Sequence, residues 1–209
     1  MSGLIISGTD TDAGKTVFAA ALVAATGGRY WKPIQAGLSG ETDAMIVRRL
    51  ASADAARILP EVYRLATPAS PHVAAEIDGI EIDLDRLALP EVAGAGPLIV
   101  EGAGGVLVPL TRKTLQVELF ARWDLPVVLV ASTRLGTINH SLLSLEALKR
   151  RTIDIRGIAF VGDENADSER TICDFGNVRR LGRLPHLPEL SAGPLLAAFK
   201  ANFSLGDFV

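Results

Sequence analysis

The sequence predicts an α/β fold: a single-domain, doubly wound, mostly parallel sheet with helices on both faces. Three observations support this prediction. Several apolar runs are continuous rather than alternating, which is typical of strands buried on both faces. Helical patterns separate these runs, and a glycine-containing loop joins the first strand to the first helix. In such a sheet ligands bind beyond the C-terminal ends of the strands, so we expect the functional residues there.

The individual elements follow from apolar runs and from helical spacing. Four strands are predicted at residues 4–7, 98–100, 127–130 and 158–161, with two shorter candidates at 30–34 and 181–184. Helices are predicted at residues 14–26, 43–51, 71–77, 83–89, 115–122, 137–151 and 195–202. The clearest helix is 137–151, where apolar residues recur at spacings of four and three. The sequence has no internal repeat, and we expect one domain across residues 1–209.

Composition places the chain among globular proteins of a reducing compartment. With 48% apolar and 22% charged residues, the 209-residue chain is suited to a packed core rather than to disorder. A net charge of −3 without a dense basic run gives no support for a nucleic-acid partner. No apolar run approaches the roughly 20 residues that cross a bilayer, and the N-terminus lacks a signal-peptide pattern. The single cysteine, Cys173, excludes an internal disulfide. We therefore expect a cytoplasmic protein that binds neither nucleic acid nor membrane.

The stretch at residues 8–16, Gly-Thr-Asp-Thr-Asp-Ala-Gly-Lys-Thr, has the composition of a phosphate-binding loop. It lies between a strand and a helix, where backbone N–H groups and the helix dipole favour an anion. Gly14 lets the backbone approach a phosphate, Lys15 supplies a charge for the β- and γ-oxygens, and the Thr16 hydroxyl suits Mg²⁺. Five residues separate the two glycines instead of the usual four. The alternative is a chance Gly-Lys-Thr in a turn, which the strand and helix context disfavours. We predict a nucleotide-binding loop.

A second functional segment is predicted at residues 32–37, Lys-Pro-Ile-Gln-Ala-Gly, after a short predicted strand. The chain contains only five lysines, and Lys15 and Lys32 both lie at strand ends in apolar company. Pro33 and Gly37 indicate a fixed turn. We therefore predict that Lys32 directs its ammonium at a phosphate or at another developing negative charge. The alternative is a surface lysine whose stem lies along apolar surface.

A third segment places a carboxylate directly after the strand at 98–100. Residues 101–105 read Glu-Gly-Ala-Gly-Gly, and these glycines let the backbone pass close to a ligand. Glu101 is placed to hold Mg²⁺ near the phosphate loop, directly or through water. Asp43 is a second candidate ligand, although aspartate is common near a helix start for dipole reasons. With Thr16 these carboxylates supply the hard oxygens that Mg²⁺ requires. The alternative is a sharp glycine turn with an exposed Glu101.

A fourth segment, Leu-Gly-Thr-Ile-Asn-His at residues 135–140, opens the clearest predicted helix. Its free N–H groups are suited to holding a carboxylate. We interpret His140 as a capping or packing residue. His72 and His186 have no histidine or cysteine at i+3 or i+4, so the sequence does not support a zinc site.

Together these residues resemble the dethiobiotin synthetase family, and the similarity runs over most of the chain. The resemblance rests on six motifs in a fixed order, each of which is modest alone. They are residues 8–16, Lys32-Pro33, Thr42-Asp43, Ser70-Pro71-His72, residues 101–105 and residues 135–140. The five-residue spacing in the phosphate loop belongs to this resemblance.

The resemblance implies an ATP-dependent ligase of biotin biosynthesis that converts 7,8-diaminopelargonate (7,8-diaminononanoate) and CO₂ to dethiobiotin, releasing ADP and phosphate. A substrate amine captures CO₂ as a carbamate, the γ-phosphoryl group activates it as a mixed anhydride, and the second amine closes the ureido ring. Such chemistry depends on charge placement more than on protein acids and bases. The resemblance assigns Mg²⁺ to Thr16, Asp43 and Glu101. It makes Lys15 and Lys32 catalytic, Lys15 on the phosphates and Lys32 on the carbamate and the transferring phosphoryl group.

The resemblance also implies the remaining contacts to ATP and to the diamine. Nucleotide contacts are implied for Asp12, Ala13, Gly14, Lys15, Thr16, Val17, Asp43, Glu101, Gly102, Ala103, Gly104, Gly162, Asp163, Pro185, His186 and Leu187. Substrate contacts are implied for Thr11, Lys32, Ala36, Gly136 and Asn139. The family acts as a homodimer, in which the helix N-terminus around Gly136 and Asn139 holds the carboxylate of the substrate in the neighbouring subunit.

Two positions depart from the family pattern. Family members often carry Ser or Thr where this chain has Ala36, so a hydroxyl contact to substrate is lost or moved. Gly162 stands where an asparagine before Asp163 reads adenine, and glycine has no side chain that can hydrogen-bond. We therefore expect a relaxed base preference. In the loop at residues 185–187 only the proline and the leucine match the family.

Three alternatives stay open from the sequence. The nearest is a ParA/MinD-like P-loop ATPase switch, but such relatives carry an additional lysine early in the loop and residues 9–13 contain none. A cobyrinic acid diamide synthase adds a glutaminase domain with a cysteine nucleophile, and Cys173 lacks a suitable motif. A nonenzymatic nucleotide-binding module leaves Lys32 and the glycines at 104 and 105 unexplained.

Overall fold

The computed structural model describes residues 2–92, 94 and 96–208, and within them the main feature is a six-stranded parallel sheet. The strands β1 to β8 span, in chain order, Gly3–Gly8, Arg29–Trp31, Ile34–Ala36, Tyr63–Leu65, Leu98–Gly105, Val127–Ser132, Ile155–Val161 and Arg180–Leu184. The helices α1 to α7 span Lys15–Thr26, Asp43–Leu50, Pro71–Ile77, Gln116–Trp123, Thr137–Lys149, Ala166–Gly176 and Ala192–Asn202. Short 3₁₀ helices occur at Ala55–Arg57, Leu84–Leu87 and Leu205–Asp207. None of the helices in the described ranges combines the length and the apolar character that a membrane span requires.

The strand order of the main sheet is β2-β5-β1-β6-β7-β8, and every neighbouring pair is parallel. Because β1 pairs with β5 on one side and with β6 on the other, the loop after β1 leaves the sheet in the middle of its C-terminal edge. That edge is where parallel sheets bind their ligands. β3 and β4 pair in parallel outside the main sheet.

Two apolar cores cover the two faces of the main sheet. All residues of β1 are buried, and its side chains alternate between these cores. Ile5 belongs to the core that includes residues of α4 and α5, whereas Leu4 and Ile6 belong to the core that includes residues of α1 and α7. A strand that is buried on both faces has a continuous apolar run in its sequence. The predicted α/β class, with helices on both faces of a parallel sheet, is confirmed.

Two predicted elements differ from the structure. Residues 30–34 do not form one strand, because β2 ends before Pro33, which has no N–H to donate to a strand partner, and β3 starts after it. The helix predicted at 83–89 is limited to the 3₁₀ helix Leu84–Leu87. Pro90 disfavours the helical conformation for the residue before it, which accounts for the early end.

No sequence pattern predicts β4 or α6. α6 is mostly polar, and its buried residues Glu169, Ile172 and Gly176 do not make an apolar stripe. Its start is marked by Asn165, whose side chain accepts a hydrogen bond from the Ser168 N–H, and by the acidic residues Asp167 and Glu169 in the first turn. β4 is three residues long, which is too short for an alternating pattern to be recognised.

An aromatic cluster holds α1, the helix that follows the phosphate loop, against the C-terminal part of the chain. Phe18 of α1 is fully buried. Its ring centroid lies 5.9 Å from that of Phe199, 5.5 Å from that of Phe203 and 6.0 Å from that of Phe208. These rings fix the position of the helix whose N-terminus carries the phosphate loop.

Replacing Phe18 by alanine is expected to lower the free energy of unfolding by about 3–5 kcal/mol, because the lost ring leaves a cavity. Phe175→Ala is the matched control, since Phe175 is 80% exposed, and its effect is expected to stay within about 0.5 kcal/mol. Urea denaturation followed by tryptophan fluorescence measures both variants. Equal destabilisation of the two would contradict the role of the aromatic cluster.

Candidate active site

The phosphate loop, residues 8–16, connects β1 to α1, and Gly14 is the N-cap of that helix. Gly14 has a φ of 93°, in the left-handed region that favours glycine. A Cβ atom there would lie 2.8 Å from Cγ1 of Val161, so the contact also favours glycine. Because Gly14 has no side chain to cap the helix, the first N–H groups of α1 are available to an anion.

Lys15 is buried, and its side chain folds back over the phosphate loop. Nζ donates hydrogen bonds to the carbonyl oxygens of Asp10 at 2.9 Å and of Thr11 at 3.0 Å. Burial lowers the pKa of Lys15 to about 8, although the carboxylate of Glu101 opposes this shift. The two carbonyl contacts hold the ammonium within the curve of the loop, where a phosphate chain would lie.

Three oxygen-bearing side chains from distant parts of the chain converge next to Lys15. Oγ1 of Thr16 lies 2.8 Å from Oδ1 of Asp43 and 2.9 Å from Oε1 of Glu101. These residues come from α1, from the first position of α2 and from β5. The described residues contain no cluster of three or more His, Cys, Asp or Glu side chains suited to a metal. Mg²⁺, however, typically takes one or two carboxylates and completes its shell with water and phosphate oxygens, so this donor set fits it.

Lys32 lies between the two carboxylates of this oxygen cluster. Its Nζ is 2.5 Å from Oδ2 of Asp43 and 3.0 Å from Oε1 of Glu101, and its side chain is only 8% exposed. Burial alone would lower the pKa of Lys32, but the charges of Glu101 and Asp43 outweigh it and raise the pKa. In the same way burial opposes ionisation of Asp43, yet Lys32 holds the pKa of that carboxyl below its usual value. The ammonium therefore stays charged in a buried place.

Tyr30 and Gln35 hold Glu101 and Asp43 in place, and no sequence motif indicates a role for either of them. The hydroxyl of the fully buried Tyr30 donates to Oε2 of Glu101 at 2.9 Å. Burial and the Glu101 carboxylate raise the pKa of that hydroxyl well above its usual value. Oε1 of Gln35 accepts a hydrogen bond from the Asp43 N–H at 3.3 Å. Their proximity to Lys32 in sequence was the only available signal.

The glycine segment at the end of β5 is held in place by Gln116 of α4. Oε1 of Gln116 accepts from the Ala103 N–H at 2.6 Å, and its Nε2 donates to the Gly105 carbonyl at 3.1 Å. Gly104 has a φ of 60°, and a Cβ atom there would lie 2.9 Å from Cγ2 of Val108. No sequence motif pointed to Gln116, because its role appears only when α4 packs on β5.

Two cavities share the phosphate loop as a wall. The first cavity, of about 520 Å³, lies between the loop and the residues that follow β6, β7 and β8. The second cavity, of about 410 Å³, lies between the loop, the Lys32–Asp43 pair and the segment before α3. The loop contributes Asp12, Ala13 and Gly14 to the first cavity but Thr11 to the second. The fold thus offers two ligand-sized spaces that meet at the phosphate loop.

The structure distributes the predicted site residues over these two cavities and the oxygen cluster. The first cavity is lined by Asp12, Ala13, Gly14, Val17, Asp163, Pro185, His186 and Leu187, and Gly162 lies between two of its lining residues. The second is lined by Thr11, Lys32, Ala36, Asp43, Ala103 and Gly104, together with Ser70 and Pro71. Lys15, Thr16 and Glu101 lie in or beside the oxygen cluster, and Gly102 is buried in β5. Gly136 and Asn139 are exposed at the start of α5 and line neither cavity.

Known proteins match this chain over nearly its full length. A family model described as an AAA domain matches residues 2–193. The ATP-dependent dethiobiotin synthetase BioD of Rhodopseudomonas palustris (strain HaA2) is 60% identical over 206 residues, which cover 99% of this chain and 96% of that protein. The protein of the same name from Sphingopyxis alaskensis is 58% identical, with 100% of both chains covered.

A solved structure shows a similar fold at low sequence identity. The ParA family ATPase from Chlorobium tepidum TLS matches with a TM-score of 0.53 and 13% identity, covering 96% of this chain and 93% of that one. At this identity the likeness concerns the fold alone.

Proposed function

The chain belongs to the family of ATP-dependent dethiobiotin synthetases and is an ATP-dependent ligase of biotin biosynthesis, and we propose that its two cavities hold the two substrates on either side of Lys32. The reaction joins CO₂ to 7,8-diaminopelargonate and closes a ureido ring, while ATP becomes ADP and phosphate. We place the nucleotide in the first cavity, the diamine in the second, and the enzyme in the cytoplasm.

One observation carries this proposal: the buried ammonium of Lys32 lines the second cavity and contacts the two carboxylates that hydrogen-bond to Thr16 of the phosphate loop. Lys32 lines the second cavity and lies 3.0 Å from Glu101, which is itself 2.9 Å from the Thr16 hydroxyl of the phosphate loop. A γ-phosphoryl group next to Thr16 is then close to a fixed positive charge that also faces the diamine.

The phosphate chain of ATP is proposed to lie against the N-terminus of α1. The free N–H groups there, with the Lys15 ammonium, hold the β- and γ-phosphate oxygens. Thr16, Asp43 and Glu101 would hold Mg²⁺, which when bound neutralises phosphate charge and polarises the γ-phosphoryl group. The ribose and the base extend into the first cavity, towards the residues that follow β7 and β8.

Catalysis is proposed to depend on charge placement by the two lysines. An amine nitrogen of the diamine forms a bond to CO₂ and loses a proton to solvent, and Lys32 stabilises the resulting carbamate anion. A carbamate oxygen then attacks the γ-phosphorus, the bond to the bridging oxygen breaks, and ADP leaves. Lys15 and Lys32 stabilise the charge on the leaving and transferring groups in this step. The second amine attacks the carbamoyl carbon, phosphate leaves, and the proton goes to solvent or phosphate.

A second copy of the chain is proposed to complete the diamine site. The start of α5, with Gly136 and Asn139, is exposed and has free N–H groups that suit a substrate carboxylate. Leu135 and Leu143 are 106% and 56% exposed on or beside α5. Leu143 also borders a surface cavity of about 360 Å³ that reaches Thr11, a residue of the diamine cavity. A partner docked there would cover these apolar side chains.

Lys32→Gln is expected to lower kcat by about 10²–10³-fold, because glutamine keeps a hydrogen-bond donor but removes the charge that stabilises the transition state. The KM for ATP is expected to change less than about threefold, since the phosphate loop is intact. Dethiobiotin formation at saturating substrates measures kcat, and circular dichroism checks the fold. Lys200→Gln, at an exposed position of α7, is the control and keeps wild-type turnover. Wild-type turnover in Lys32→Gln would show that its proposed role is wrong.

Leu143→Asp is expected to convert a dimer to a monomer in analytical ultracentrifugation, because it puts a charge into an apolar contact. The KM for the diamine should then rise roughly tenfold or more, as the helix N-terminus of the partner is lost. The KM for ATP should change little. Phe175→Asp, at an exposed position of α6, is the matched control and keeps the dimer. A monomeric wild-type enzyme, or a monomeric variant with an unchanged KM for the diamine, would contradict the proposed interface.

A further inference from the structure

In the first cavity, the hydroxyl group of Thr133 occupies the space that a side chain at position 162 would fill. Gly162 has a φ of 133°, which side chains rarely adopt, and a Cβ atom built on it would clash with Oγ1 of Thr133. Nε2 of His186 lies 3.6 Å from the same Cβ position. Two polar side chains, from the segments after β6 and after β8, therefore converge over the Gly162 backbone.

Backbone contacts fix Thr133 and Gly162 against each other. The Thr133 N–H donates to the Val161 carbonyl at 3.2 Å, and the Gly162 N–H donates to the Leu184 carbonyl at 3.0 Å. Nη1 of Arg183 donates to the Gly162 carbonyl at 3.3 Å from the other side. This part of the cavity wall is thus built before any ligand arrives.

The Thr133 hydroxyl is free to bind a ligand, whereas two polar neighbours in the same cavity, Glu164 and Asn165, already have protein partners. Throughout residues 2–92, 94 and 96–208 no protein group hydrogen-bonds to that hydroxyl, although the side chain lines the cavity. Oδ1 of Asn165 accepts from the Ser168 N–H to cap α6, and Glu164 lies 3.6 Å from Arg183. The hydrogen-bond partner of this hydroxyl is therefore water or a ligand.

We propose that Thr133 is the base-recognition residue of the nucleotide site, where its hydroxyl, with His186 beside it, hydrogen-bonds the edge of the nucleobase. This inference rests on the proposed function, which places the base in the first cavity. A hydroxyl rotates and both donates and accepts, so it pairs with the amino group of adenine or cytosine and with the carbonyl group of guanine or uracil. Thr133 therefore contributes to the binding of any nucleobase but does not discriminate among the four bases.

Steady-state kinetics with ATP, CTP, GTP and UTP test this inference. The wild-type enzyme is expected to show kcat/KM values within about tenfold of one another. Thr133→Val keeps the shape and removes the hydroxyl, so the KM for each nucleotide should rise about fivefold, as for one neutral hydrogen bond. The kcat and the KM for the diamine should not change, because the phosphate loop and Lys32 are intact. Thr133→Ser restores the hydroxyl and should restore the KM.

The possible outcomes separate this inference from the proposed function. Dethiobiotin formation with an unchanged nucleotide KM in Thr133→Val overturns the role of Thr133 and leaves the proposed function intact. An equal loss in Thr133→Ser and Thr133→Val, or a wild-type preference for ATP over CTP above about 100-fold, also overturns it. If no nucleotide supports dethiobiotin formation, the proposed function fails as well. If valine at position 133 disturbs the packing, Thr133→Ala also removes the hydroxyl and is compared with Thr133→Ser in the same way.

Discussion

Burying an ammonium group is costly unless carboxylates surround it, and this constraint organises the site around Lys32. Its two partners, Asp43 and Glu101, come from α2 and β5, and the Thr16 hydroxyl joins them to the phosphate loop. Lys32 lies in the β2–β3 connection, and the other members of the cluster come from α1, α2 and β5. Because each of these groups needs the others, the cluster holds these four parts of the chain in fixed relative positions. The geometry that balances these charges also places the ammonium in the lining of the second cavity, next to the phosphate loop.

The ligase proposal for this fold depends on two cavities that meet at the phosphate loop. The structural likeness to a ParA family ATPase concerns the order of strands and helices, and a fold alone does not determine a reaction. In this chain the loop that suits phosphates also contributes Thr11 to a second cavity with Lys32 in its lining. We propose that this arrangement brings a carbamate, rather than water, to the γ-phosphorus.

The sequence was sufficient for the sheet and for the residues at strand ends, because parallel strands bring their C-terminal ends to one edge. Lys15, Lys32 and Glu101 could be selected on this basis, and the structure places them close together. Contacts made by packing could not be predicted. Gln116 holds the glycine segment only when α4 lies on β5, and α6 has too few buried apolar residues to show helical spacing. The role proposed for Gly136 and Asn139 depends on contacts with a second copy of the chain, which leave no local pattern in the sequence.

The most direct test of this account is the rate of phosphate release from ATP, measured with and without diamine and bicarbonate. If Lys32 stabilises a carbamate that attacks ATP, phosphate release should be at least about 100-fold faster with both diamine and bicarbonate than when either is omitted. One dethiobiotin should then form for each phosphate released. Phosphate release at the same rate without the diamine would contradict the account and would favour an ATPase switch.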